Sequence, residues 1–180
     1  MNAAARALLA HSIDADAPDT VLFARLVGAR VEADDLLLLG LDGDALAALI
    51  GRHFPGATVD RPPGAMRSSP HWTFVRDLHG LLMWHDRTKD RADAHCLATI
   101  ISAASLRPDH LWRDLGLDGR DDVTTMLDRH YPDLVARNTA NLRWKKFLAQ
   151  EVARARGVAP TCAPGCPGCE DFGLCYQENR

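Results

Sequence analysis

Apolar residues recur along most of this chain at helical spacing. Between Ala3 and about Arg30, Leu8, Leu9, Val21, Leu22, Leu26 and Val27 fall at i, i+3, i+4-type separations, and Asp14 to Asp19, with a proline inside, splits that segment into two helices. Leu36 to Leu41 is a short apolar run that fits a strand or a buried turn. Asp42-Gly43-Asp44 supplies a turn and a cap for a helix from Ala45 to His53, which Pro55-Gly56 closes. The three prolines between Asp60 and Pro70 predict a loop, and Ser69-Pro70 predicts the start of a helix to about Asp86 carrying Trp72, Val75, Leu78, Leu82 and Trp84. Thr88 to Asp93 reads as a charged linker. Ala94 to Leu106 is uniformly small and apolar (Cys96, Leu97, Ile100, Ile101, Ala104), the pattern of a central buried helix that Pro108 ends. Arg120 to His130 is a further short helix. Pro132 then opens the longest helical segment, expected to run to about Arg156 before Gly157 stops it. No strand set, internal repeat, glycine-rich phosphate loop or nucleophile elbow is visible, so the fold class is all-α.

Composition narrows the function classes. The chain has 180 residues, 47% of them apolar and 25% charged, which suffices for one core without metal or disulfides. A net charge of −3 argues against general nucleic-acid binding. The longest apolar run, Leu36 to Leu39, is too short to span a membrane, and acidic residues interrupt the N-terminal Ala-Leu run before a secretory signal develops. A cytoplasmic protein is expected, where thiols stay reduced and clustered cysteines more often mean metal.

Four of the five cysteines, Cys162, Cys166, Cys169 and Cys175, fall within fourteen residues at C-x3-C-x2-C-x5-C spacing, among prolines and glycines that exclude an ordinary helix or strand. The chain thus divides into a helical domain, residues 1–156, and an irregular cysteine-rich metal loop, residues 157–180. Three readings are open for the thiols: disulfides, a structural zinc, or an iron–sulfur cluster. Structural zinc sites usually join two separate pairs, whereas one loop here carries all four cysteines. Ferredoxin-type ligation also gathers three cysteines with a fourth nearby, and Gly165, Gly168 and Gly173 would let the backbone approach a large inorganic core. A 4Fe–4S core on four thiolates carries a net charge of about −2. Arg137, Arg143, Lys145, Lys146, Arg154 and Arg156, against the single acid Glu151, would offset it, while the C-terminal dipole of a helix ending at the loop would oppose it.

Two upstream blocks take the assignment further. His110-Leu111-Trp112-Arg113-Asp114-Leu115-Gly116-Leu117 and Arg143-Trp144-Lys145-Lys146-Phe147 resemble the HLWxDLGL and WKKF signatures of the NifQ family, with a weaker likeness at Arg52 to Ala57. That family closes on C-x4-C-x2-C-x5-C, approached through Ala-Pro-x-Cys, and Ala163-Pro164-Gly165-Cys166, Cys169 and Cys175 fit it. The likeness runs from about Leu37 to the C-terminus. It departs at the first spacing, x3 rather than x4, so that the leading cysteine position falls at Thr161 and Cys162 lies one residue later. Ala153 stands where some relatives carry another cysteine.

The resemblance implies an iron–sulfur protein, with a 4Fe–4S or mixed Mo–Fe–S cluster, that carries or donates molybdenum for assembly of the nitrogenase iron–molybdenum cofactor. It implies the nitrogenase iron protein and the cofactor scaffold as partners and molybdate as the source. Cys166, Cys169 and Cys175 would hold the irons, with Cys162 closing the fourth corner or giving way to molybdenum. His110, Arg143, Lys145 and Lys146 would add to the molybdenum site or to docking, while Trp112, Leu115, Leu117, Trp144 and Phe147 read as packing. A carrier rather than a turnover enzyme is expected, because no acid–base or nucleophile constellation is present. The rivals are a zinc-stabilised interaction module and a plain 4Fe–4S electron carrier.

Overall fold

The computed structural model describes residues 1–60 and 70–177. Among these residues there are helices and turns and no strand: α1 (Ala3–Leu9), α2 (Pro18–Glu32), a 3-10 turn (Leu36–Leu39), α3 (Gly43–His53), α4 (Trp72–His85), α5 (Arg91–Ala104), α6 (Leu111–Leu115), α7 (Arg120–His130), α8 (Pro132–Val135), α9 (Trp144–Arg156), a second 3-10 turn (Cys166–Gly168) and α10 (Phe172–Gln177). No helix among them is long and apolar enough to cross a membrane.

The all-α expectation holds, and α5 is its axis. Leu97, Ala98, Ile101 and Ala104 on α5 are fully enclosed, and α3, α4, α6 and the first 3-10 turn all pack against it. Burying each such Leu or Ile contributes roughly 1.5–3 kcal/mol. Its start lies earlier than the apolar run suggested. Asp90, within the expected linker, accepts hydrogen bonds from the amides of Ala92 (2.7 Å) and Asp93 (3.0 Å) and so caps a helix opening at Arg91. Asp42 caps α3 in the same way, 2.8 Å from the Ala45 amide. Leu36 to Leu39 forms a turn rather than a strand and closes at Gly40, with Leu39 buried and Leu37 half exposed. Most of the expected loop from Asp60 to Pro70, including Ser69, lies outside the described residues, and the following helix opens at Trp72.

The largest departure is the segment from Pro132 to Arg156, which is two helices. The Asn138 side chain accepts from the Leu142 amide (2.8 Å) and donates to the Leu142 carbonyl (3.0 Å), and Asn141 adopts φ 50°. A side chain that satisfies the backbone locally competes with the helical ladder and ends it here. The break positions the site, because it sets the first turn of α9 beside α6. That short helix, which the sequence pattern did not reveal, ends at Gly116 with φ 73°. Any side chain there would also place its Cβ 2.1 Å from the Ala29 Cβ.

Candidate metal centre

A buried ion pair joins the two motif blocks. Asp114 on α6 and Lys145 on α9 are 8% and 5% exposed. The Lys145 ammonium donates to the Asp114 carboxylate and, at 2.7 Å, to the Arg107 carbonyl. Arg107 reaches Asp114 at 3.4 Å through Nε and donates to the Leu38 carbonyl at 2.8 Å. Burial pushes the pKa of Lys145 down, with Asp114 working against that shift. Trp144 and Phe147, 6% and 3% exposed, anchor the other face of the same turn edge-on, and the Trp144 indole N–H donates to Thr124 Oγ1 at 3.1 Å.

The cysteine segment folds back onto this platform. A Cβ at Gly165 would lie 1.9 Å from the Arg107 carbonyl oxygen, and one at Gly168 would lie 2.5 Å from the Pro108 Cβ. These glycines therefore permit close packing against the α5–α6 connection rather than against an inorganic core. Cys166 and Ala163 are buried with Ala149 of α9 in a small apolar cluster, flanked by Cys162, Phe74, Phe172 and Tyr176. The segment is less irregular than its glycines and prolines suggested. Cys166–Gly168 forms a 3-10 turn, and Cys175 sits on α10, the helix Phe172–Gln177.

Between the cysteine segment and the motif blocks lies a cavity of about 350 Å³. Cys166, Cys169 and Cys175 are on its wall, together with His110, Arg113, Arg120, Arg143, Lys145 and Lys146 and the carboxylates Asp109, Glu170 and Asp171. Cys162 is absent from that lining and lies in the apolar cluster. Burial pushes the Cys166 thiol up, opposed by the Tyr176 hydroxyl, which donates to its Sγ at 3.8 Å, and by Lys145. Burial likewise raises Cys175, opposed by Arg143. Both would release protons on binding a metal.

Charged contacts close the mouth. Arg143 donates to Asp171 at 2.7 Å and toward His110 Nδ1 at 3.3 Å, while His110 Nε2 lies 3.1 Å from Asp171, a pattern that fits the tautomer protonated on Nε2. Arg113 donates to Glu170 at 2.8 Å and lies over the Trp112 ring at 4.8 Å. Lys146 donates to the Cys175 carbonyl and sits 4.9 Å from the centre of the Tyr176 ring.

His110, Arg143, Lys145, Lys146, Cys166, Cys169 and Cys175 thus converge on one cavity. The basic stripe does not arrive whole, since Arg137 and Arg154 pair with the buried Glu151 and Arg156 with Asp77. The expected helix end is also reversed. The cavity is lined by the first turn of α9, so the positive end of the helix dipole faces it. Sequence reasoning missed Arg113, Glu170, Asp171 and Tyr176. Arg113 stood inside a quoted motif, and Glu170-Asp171 lies directly between two cysteines, yet neither carries a periodic or spacing signal. Asp109, His110 and Glu170 bring one ligand atom each within 4.8 Å of one another, although Arg113 already engages both carboxylates. Cys96 is buried on α5, 3.8 Å from an Arg52 nitrogen, and belongs to the core.

Fold and site define a protein that is helical through its described residues, with three of its four C-terminal cysteines facing a cavity with a cationic wall. The NifQ family model matches residues 8–177, and the chain belongs to the NifQ family. It is 36% identical over 146 residues to the NifQ homolog of Sinorhizobium fredii, covering 76% of this chain and 60% of that protein. It is 31% identical over 154 residues to Protein NifQ of Azotobacter vinelandii, covering 77% of this chain and 76% of that one. For Protein NifQ of Rhodobacter capsulatus the identity is 30% over 138 residues, with 77% and 75% covered. No solved structure matches.

Proposed function

We propose that this protein is an iron–sulfur carrier that binds molybdenum and donates it for assembly of the nitrogenase iron–molybdenum cofactor. The observation that carries this function is the convergence of Cys166, Cys169 and Cys175 with a cationic wall on one cavity, at the junction of the two family motif blocks. The donor set fits an iron–sulfur cluster. Three cysteines share a concave surface, and Arg143, Lys146 and the first turn of α9 offset a negatively charged core. Cys166, Cys169 and Cys175 would hold the irons, and Cys162 would turn from its apolar cluster to close the fourth corner or leave it to the cargo. When bound, the cluster supplies sulfide and thiolate donors that favour molybdenum in a softer, thiated form over oxygen-coordinated molybdate.

The chain's own residues have separable duties in this account. Asp114 and Lys145 set the distance between α6 and α9, and Gly165 and Gly168 seat the cysteine segment. Tyr176 donates to the Cys166 sulfur, and hydrogen bonds to cluster sulfurs tune reduction potential. The role is that of a carrier, with the nitrogenase iron protein and the cofactor scaffold as recipients.

The cysteine series tests the ligand set. After anaerobic reconstitution, Cys166→Ala, Cys169→Ala and Cys175→Ala should each lose the brown chromophore and most bound iron, whereas Cys162→Ala should retain part of both. Full iron and molybdenum retention in the first three variants would sink the assignment.

A further inference from the structure

The cationic groups at the cavity divide into two sets. Lys145, Lys146 and Arg120 are committed within the protein, the first to Asp114 and the Arg107 carbonyl, the second to the Cys175 carbonyl and the Tyr176 ring, the third to Asn141 and the Leu142 carbonyl. Arg143 and His110 are instead satisfied at their charged tips by Asp171, and Arg113 by Glu170 and Asp109. Glu170 and Asp171 come from the cysteine segment itself, directly after Cys169. Glu170 is 62% exposed on its side chain, and an ion pair that open to solvent contributes only about 0–1 kcal/mol. Glu170 can therefore leave at little cost, whereas Asp171, 26% exposed on its side chain, leaves only when another anion takes over Arg143 and His110.

We infer that His110, Arg113 and Arg143 form an entry subsite for a tetrahedral oxyanion of the molybdate class, in which Asp171 and Glu170 act as exchangeable stand-in anions. Two guanidinium forks and an imidazole N–H offer directed donors that match the oxygens of a tetrahedral dianion. The first turn of α9 lines the same cavity and adds its positive end. A dianion matches the summed charge of the two carboxylates that it replaces and concentrates it on one compact set of oxygens. Its arrival also releases Glu170-Asp171, which lies between Cys169 and Cys175, and so frees the segment that carries both thiols. Oxygen-coordinated cargo is then held beside the sulfur donors before any exchange of ligands. The inference rests on the molybdenum-carrier function proposed above and assigns its point of entry.

Calorimetric titration of the full-length, reduced, iron-free protein with sodium molybdate at low ionic strength tests it. Saturable 1:1 binding is expected. Arg143→Gln and Arg113→Gln should each weaken it about tenfold, the worth of one charge-assisted hydrogen bond. Asp171→Asn removes the competing charge and should tighten binding about tenfold, a gain that a destabilised fold does not produce. Gly51→Ala, where a Cβ meets nothing within 4 Å, should leave the affinity unchanged. Binding that neither Arg143→Gln nor Asp171→Asn moves overturns the subsite. Should the reconstituted protein still take up iron and molybdenum while the iron-free protein ignores molybdate, the subsite fails and the carrier function stands. Failure of the carrier function is read separately, from absent iron and molybdenum after reconstitution.

Discussion

Asp114→Ala is expected to lower the stability of the protein by about 3–5 kcal/mol, because it strands a buried ammonium. Lys145 is 5% exposed and would keep only the Arg107 carbonyl as a hydrogen-bond partner. Arg107 would lose the same carboxylate, though its bond to the Leu38 carbonyl would persist. Lys145→Ala should cost less, since Arg107 still faces the remaining Asp114 carboxylate. In the double variant Asp114→Leu with Lys145→Met, no charge of the pair is left unpaired, and most of the loss should be recovered. Guanidinium denaturation of the three variants measures these differences. Thermal midpoints should follow at roughly 2–4 °C per kcal/mol for a chain of this size. A loss below about 1 kcal/mol for Asp114→Ala would mean that the pair does not clamp the motif blocks together.

Gly165→Ala should separate the site from the fold. Its new methyl group would sit 1.9 Å from the Arg107 carbonyl oxygen, a backbone atom that cannot swing away. Overpacking of this kind costs typically about 1–3 kcal/mol. The cysteine segment, held by a small apolar cluster and a few ion pairs, can escape that cost by undocking, while α1 to α9 keep their packing. The expected result is a helical signal and a denaturation midpoint close to wild type, a severalfold fall in iron uptake, and faster proteolysis between Gly157 and Cys169. Gly51→Ala is the matched control, because a Cβ there meets nothing within 4 Å. Unimpaired iron uptake in Gly165→Ala would show that docking on Arg107 and Pro108 is dispensable.

Local chemistry made much of the helical frame legible. The small apolar run in α5, the Asp42 cap and the stop at Gly157 each act within a few residues, and the sequence displays them directly, whereas α5 ends at Ala104, ahead of the stop expected from Pro108. The break at Asn138 was hidden because it depends on one side chain bonding both backbone groups of Leu142, a choice that Asn makes in some contexts and declines in others. The start of α5 was hidden by charge, since Asp90 and Arg91 look like linker residues until the cap geometry is seen. At the site, residue types and motif order brought the cysteines, His110 and Arg143 forward. The partners were not legible. That Lys145 is consumed by Asp114, and that Gly165 faces Arg107, follow only from the packing of α6 against α9 and the fold-back of the C-terminal segment. The polarity of the dipole needed both events, since the break creates a helix N-terminus at Trp144 and the fold-back carries the cysteines away from the helix end at Arg156 to that first turn.

The central claim is that this cavity holds an iron–sulfur cluster and loads molybdenum. Quantifying iron, acid-labile sulfide, molybdenum and zinc in the anaerobically purified protein, expressed with molybdate present, tests it most directly. The account predicts a brown protein with iron and sulfide in near-equal amounts and molybdenum approaching one per chain. A colourless protein with one zinc and no labile sulfide, or a brown one that never takes up molybdenum, would contradict it.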